Sequence, residues 1–140
     1  MLDAELLTQV GDIMWEAHGL HLQGQPEAAI KRYQDALTLM GDKSKASIDA
    51  TTIYCNIGEV YWLQKSYDKS LYYLGLAVHN EGGLGISIIH LRIGQIRYEQ
   101  GELKKAQDEL TRAYVGGGYS VFEEEDPKYY ALIQPHIERE

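Results

Sequence analysis

His18 and His21 lie three residues apart, so on a helix they share a face, and His90 falls on a separate helical stretch. Imidazoles placed this way could ligate zinc, which takes three or four ligands converging at bonding distance. The single cysteine, Cys55, has no partner cysteine at metal-binding spacing. No metal site is expected, and the histidines are read as surface or groove-lining imidazoles. Cys55 also lacks the Cys/His arrangement of a nucleophile, so a small apolar thiol between helices is its expected role. Carboxylates stand at Glu16, Glu59 and Glu99, but nothing in the sequence pairs them for acid–base work. Glycines cluster at 82, 83 and 85 in HNEGGLG, yet neither a Walker pattern nor a dinucleotide fingerprint surrounds them. Their access to positive φ makes this stretch a connector that ends a helix. No catalytic residue and no cofactor is expected, and the chain is read as a non-enzyme.

The elements that carry these residues repeat. Residues 54–77, YCNIGEVYWLQKSYDKSLYYLGLA, match 90–113, HLRIGQIRYEQGELKKAQDELTRA, at a fixed offset of 36 (94 − 58). That offset puts Gly58 on Gly94, Ser70 on Ala106, Leu74 on Leu110 and Ala77 on Ala113. A more divergent copy precedes them at an offset of 41 (65 − 24), with Ala17 on Gly58, Ala29 on Ser70, Tyr33 on Leu74 and Ala36 on Ala77. In the first copy Leu6, Val10, Ile13, Ala17 and Leu20 step by three and four, one face of a helix over 3–23 that Asp3 would cap. Gly24-Gln25-Pro26 breaks that helix, and Pro26 opens a second over about 26–40. The extra residues of the longer offset fall in GDKSKAS, 41–47, a polar loop or an extended helix start. Gly58 is assigned to packing, because two helices approach closely only where one lacks a side chain. Tyr61 is assigned to packing with it.

Paired helices recurring at about 34 residues, with an aromatic, a small residue, a tyrosine and later alanines, resemble the tetratricopeptide family. The resemblance implies an all-α, right-handed superhelical array of about three helix-turn-helix repeats plus a C-terminal capping helix. A single domain is expected over 1–140, with repeats at about 3–40, 48–79 and 86–115 and a cap at about 127–138. The cap follows from Asp126-Pro127, a capping aspartate before a first-turn proline. Tyr130, Leu132 and Ile133 would form its apolar side, with Val121 and Phe122 tucked beneath. A terminal cap covers the hydrophobic edge that a stacked array leaves open. The acidic run EEED, 123–126, is read first as offsetting the dipole of that helix, a role compatible with a patch for a basic partner.

In this family the first helices of successive repeats line a concave groove that grips a peptide or a partner helix. In the repeat register the groove residues are Met14 and His18, then Asn56, Glu59 and Trp62, then Arg92, Gln95 and Tyr98, with His21, Leu22, Leu63 and Glu99 on the same faces. Aromatics give such a wall contact area, and sparse polar groups fix register. One subfamily holds the C-terminal carboxylate of chaperones with five Lys, Asn and Arg side chains. Asn56 and Arg92 fall on two of those places, but Met14, His18 and Ile88 stand at the others, so the positive charge of that clamp is missing.

A chain of 140 residues buries enough surface, about 70% of what its unfolded form exposes, to need no staple. The net charge of −8 excludes nucleic acid and anionic membranes as partners and favours a basic protein. Acidic residues at the amino terminus and the lack of a membrane-length apolar run lead to an expected cytoplasmic location. The leading expectation is therefore a non-enzymatic scaffold that binds a protein or peptide in its groove. The segments GGLGISIIHLRIGQ, DELTRAY and FEEEDPKY are similar to those of small free-standing bacterial repeat proteins, some encoded beside secreted toxins, which implies an immunity or chaperone role as an alternative. A structural homo-oligomer, its groove or convex side filled by a second copy, is the other.

Overall fold

The computed structural model describes residues 2–137. Seven α-helices order the described residues: α1 (Ala4–Leu22), α2 (Pro26–Met40), α3 (Ile48–Leu63), α4 (Tyr67–Val78), α5 (Ser87–Glu99), α6 (Leu103–Gly117) and α7 (Pro127–Ile137). Single 3-10 turns occupy Gly41–Ala46, Gly83–Gly85 and Tyr119–Phe122, and no strand occurs among the described residues. The chain divides after Leu84 into two compact units. The first holds the pairs α1/α2 and α3/α4, and the second holds α5/α6 and α7.

Each helix pair is closed by the same turn. Gly24, Lys65 and Gly101 occupy one register position and share the left-handed conformation, with φ of 75°, 60° and 80°. The next residue reaches back five positions to close the ring: Gln25 N–H donates to the Leu20 carbonyl at 3.0 Å, Ser66 to Tyr61 at 2.9 Å and Glu102 to Arg97 at 2.9 Å. This Schellman geometry satisfies carbonyls that a helix end leaves orphaned. Lys65 performs it with a Cβ, at a steric cost that glycine avoids.

Packing within the α3/α4 and α5/α6 pairs rests on a residue without a side chain, and the small residue Ala17, fully buried, holds the equivalent position in α1/α2. A Cβ added at Gly58 would lie 2.7 Å from Leu74 Cδ2, and one at Gly94 would lie 2.7 Å from Leu110 Cδ2. The Ser70 hydroxyl donates to the Gly58 carbonyl at 2.7 Å, a bond available only because the helices touch. The register positions Ala29, Ser70 and Ala106 are all fully buried, as are Ala36, Ala77 and Ala113. In the first unit Val10, Ala17, Ile30, Tyr33, Ile53, Ile57 and Val60 form one core.

Asp3 caps α1 as its position implied, its Oδ1 accepting from Leu6 N–H at 2.8 Å. The polar stretch after α2 is a 3-10 turn rather than a longer helix, and Ser47 caps α3 by accepting from Asp49 N–H at 3.1 Å. The Asn80 amide clasps that turn from the end of α4, donating to the carbonyls of Ser44 at 3.2 Å and Ser47 at 3.0 Å. In the second unit the buried residues of α7 are Tyr129 and Ile133, one helical turn apart. The apolar side thus runs through Tyr129 rather than Tyr130 and Leu132, which are half-buried. Tyr130 instead meets Phe122 at 5.5 Å and the edge of Tyr119 at 4.8 Å between ring centres. Residue 138, the expected end of this helix, lies outside the described residues.

Two outcomes test this geometry by urea unfolding. Gly58→Leu is expected to lower stability by roughly 3 kcal/mol, because the added side chain meets Leu74 in a filled core. Lys65→Gly is expected to raise it by about 0.5–1 kcal/mol, the relief of left-handed strain exceeding the entropy that glycine adds to the unfolded chain.

Candidate functional site

The first helices of the first unit, α1 and α3, place side chains from both on a shared cleft of about 150 Å³. Its walls are His18 and His21 from α1, Tyr33 from α2, and Asn56, Glu59 and Val60 from α3. Three of the eight expected groove residues, His18, Asn56 and Glu59, are thus brought together. The spacing 56, 59 and 60 puts the α3 residues on one face, with Val60 buried in the core and the two polar groups above it. Tyr33 is the floor. It is 2% exposed. Burial pushes the Tyr33 phenol above its ordinary pKa of 10.0, and the neighbouring Asn56 side chain opposes that rise.

Met14 is half-buried against the core of the first unit, and Trp62 packs on Tyr67 with ring centres 5.8 Å apart. One residue of these faces had escaped the sequence reading. At the offset of 41, Asn56 corresponds to Trp15 (56 − 41), and Trp15 is 80% exposed. Leu22 and Leu63 are equivalent as well (63 − 22 = 41), and they are 72% and 62% exposed. The signal was present in the register, but the apolar steps of α1 direct attention to its core side.

Charge is distributed unevenly among the helices. α1 and α3 carry Glu5, Asp12, Glu16, Asp49 and Glu59 and not one Lys or Arg. Basic residues stand on α2 and α4, where Arg32 pairs with Glu16 across the helix pair at 2.9 Å.

The other three expected groove residues belong to α5 in the second unit, where they hold the segment that follows α6. Arg92 Nη1 donates to Glu125 Oε1 at 2.6 Å and to Gln95 Oε1 at 2.8 Å, and Gln95 Nε2 donates to the same Glu125 oxygen at 2.7 Å. Gln95 is fully buried, so it cannot stand on a surface wall as expected. The Arg92 side chain is 11% exposed and the Glu125 side chain 19%. A guanidinium so enclosed needs a carboxylate to offset its desolvation, and the third acid of the EEED run supplies it. Tyr98 meets the edge of Tyr129 at 5.2 Å, and Lys128 pairs with Glu99 at 2.9 Å. Asp126 accepts from Lys128 N–H at 3.0 Å, capping α7. The acidic run therefore divides its roles between a buried ion pair and a helix start, leaving Glu123 and Glu124 exposed.

His90 is buried, with Nδ1 2.8 Å from a Glu109 carboxylate oxygen, and Cys55 is buried too. No three His, Cys, Asp or Glu side chains converge on a common metal position among the described residues. No helix among them is long and apolar enough to cross a membrane.

No family model matches the chain, and no curated protein does. Solved structures do, and they define the class: the chain has the all-α tetratricopeptide-repeat fold. The type III secretion chaperone SycD of Yersinia enterocolitica, in complex with a peptide of the translocator YopD, is similar over 99% of this chain and 98% of its own, at 16% identity and a TM-score of 0.70. The second such domain of human RPAP3, in complex with an HSP70 peptide, matches over 93% and 96% at 16% identity and a TM-score of 0.66. The C-terminal domain of a Plasmodium falciparum FK506-binding protein matches over 99% and 93% at 15% identity and a TM-score of 0.70.

Glu125→Ala strips a buried guanidinium of its partner and is expected to cost about 3 kcal/mol in urea unfolding. The paired change Arg92→Met with Glu125→Leu should cost much less, because no buried charge is left unmatched.

Proposed function

We propose that this protein is a non-enzymatic scaffold that binds a polypeptide segment along the first helices of its first unit, α1 and α3. The observation that carries this reading is the cleft itself: His18, Asn56 and Glu59 converge over a tyrosine floor, with exposed Trp15, Leu22 and Leu63 on the same two helices. Exposed aromatic and aliphatic groups around a few oriented polar ones make a surface suited to a peptide, which brings both backbone hydrogen-bonding groups and apolar side chains. Solved relatives in fold are described with peptides bound, an HSP70 peptide in RPAP3 and a YopD peptide in SycD, which supports a polypeptide as the ligand.

In this reading Trp62 and Met14 contribute contact area. His18, Asn56 and Glu59 set the register of the bound segment. Arg92, Gln95 and Tyr98 are positioning residues that anchor the C-terminal segment. A carboxylate-tailed peptide is disfavoured, because α1 and α3 offer no Lys or Arg and Arg92 already holds Glu125.

The test is to recover the partner by co-purification with the full chain, identify it by mass spectrometry, and titrate it calorimetrically against variants. The double change His18→Ala with Glu59→Ala is expected to weaken binding at least about 10-fold, equivalent to 1.4 kcal/mol, with thermal unfolding unchanged. Lys104→Ala, on an exposed face of α6, should leave affinity as it was. Equal affinities for all of these proteins would place the binding site elsewhere.

A further inference from the structure

α1 is apolar on two sides. Val10 and Ala17, with Leu6 and Ile13, enter the core. Leu7, Gly11, Trp15 and Leu22 do not: at 100° per residue they fall within an arc of roughly 80° on another side. Leu7 is 42% exposed, Trp15 80% and Leu22 72%, and a Cβ built at Gly11 would meet nothing within 4 Å. An amphipathic surface helix needs only one apolar stripe, and helix propensity does not call for an exposed tryptophan, so the second stripe has no role in the fold of this unit.

The surroundings of the stripe indicate what would cover it. His18 falls within that arc, between Leu7 and Gly11, and leads from the stripe into the cleft. On one flank, Asp12, Glu5 and Glu16 follow one another along the helix, all exposed. Glu16 is paired with Arg32, whereas Glu5 and Asp12 make no ion pair with any described residue. Gly11 leaves a notch between Leu7 and Trp15 that would admit a large side chain. From Leu7 to Leu22 the stripe runs about 22 Å at 1.5 Å per residue, the length of four turns of a partner helix. A second copy of this chain would bring an identical acidic flank against it, in a protein of net charge −8.

We infer that the Leu7–Gly11–Trp15–Leu22 stripe docks a cationic amphipathic helix of a partner protein. Its apolar side chains cover Trp15 and fill the notch at Gly11, while its Lys or Arg residues pair with Glu5 and Asp12. This rests on the reading of the first-helix face as a polypeptide-binding surface, and it names the charge and form of the ligand.

The experiment uses the full chain and two synthetic 18-residue helices with one leucine pattern, the first with lysine and the second with glutamate on its polar face. Calorimetric titration is expected to show the lysine peptide binding at least about 10-fold more tightly than its glutamate twin. Trp15→Ser should weaken the lysine peptide at least about 10-fold with circular dichroism unchanged, since that side chain supports nothing in the core. Glu5→Gln with Asp12→Asn should weaken it about 5-fold at low salt, an effect that shrinks at about 0.5 M salt. Equal binding of the two peptides, or binding indifferent to Trp15→Ser, would overturn the inference. So would light scattering that finds a dimer which Trp15→Ser dissociates, since the occupant would then be a second copy. Loss of the co-purified partner with His18→Ala and Glu59→Ala but not with Trp15→Ser overturns this inference alone and keeps the cleft. Indifference to both sets overturns the two readings together.

Discussion

The structure depends on close approach between paired helices, and in the α3/α4 and α5/α6 pairs that approach depends on Gly58 and Gly94 having no side chain. Leu74 and Leu110 occupy the space a Cβ would take. Interiors at crystal-like density tolerate little adjustment, so once leucine is seated on glycine the rest of the pair is in register. The Ser70 hydroxyl can then reach the Gly58 carbonyl, the alanines at the equivalent positions close over the interface, and the connecting turn must reverse the chain within a few residues. The left-handed conformation at Gly24, Lys65 and Gly101 follows from that demand. Lys65 shows its strength, because the turn keeps its geometry with an unfavourable residue in place.

With the helices held this way, the side chains not needed for packing differ between the two units. In the first unit the polar residues of α3 stand over Tyr33 and meet His18 across a small cleft. In the second, the corresponding face of α5 is engaged by the chain's own residues, Glu125, Lys128 and Tyr129. Desolvation explains the difference. Arg92 is almost enclosed, and a charge in that setting takes a carboxylate. Asn56 at the equivalent position is neutral and needs no counter-charge. One register position therefore serves stability in one repeat and ligand contact, in our reading, in another.

How much was legible can be judged from particular residues. Helix starts at Asp3 and Pro26, the break at Gly24 and the packing of Gly58 were all readable, because capping, turn chemistry and 3.6-residue periodicity act over a few neighbouring residues. Trp15 was readable in principle, since an offset of 41 sets it on Asn56, but a helix with two apolar sides conceals which one faces inward. Gln95 was misplaced for a related reason: a polar residue at a groove position is taken as exposed unless its partner is known. That partner, Glu125, lies 30 residues further along in a segment outside the repeats.

The sequence by itself determined the helices, their turns and the equivalence of positions between repeats, because each is set by local backbone chemistry and by a spacing that recurs. Only the tertiary structure decided which side chains meet. The Arg92–Glu125 pair, the Asn80 clasp on the 41–46 turn and the convergence of His18, Asn56 and Glu59 each join residues about 30 or more positions apart. Equivalence at a fixed offset says which residues play the same part in successive repeats. It does not say which residues are neighbours, and burial, charge pairing and hydrogen bonding are properties of neighbours.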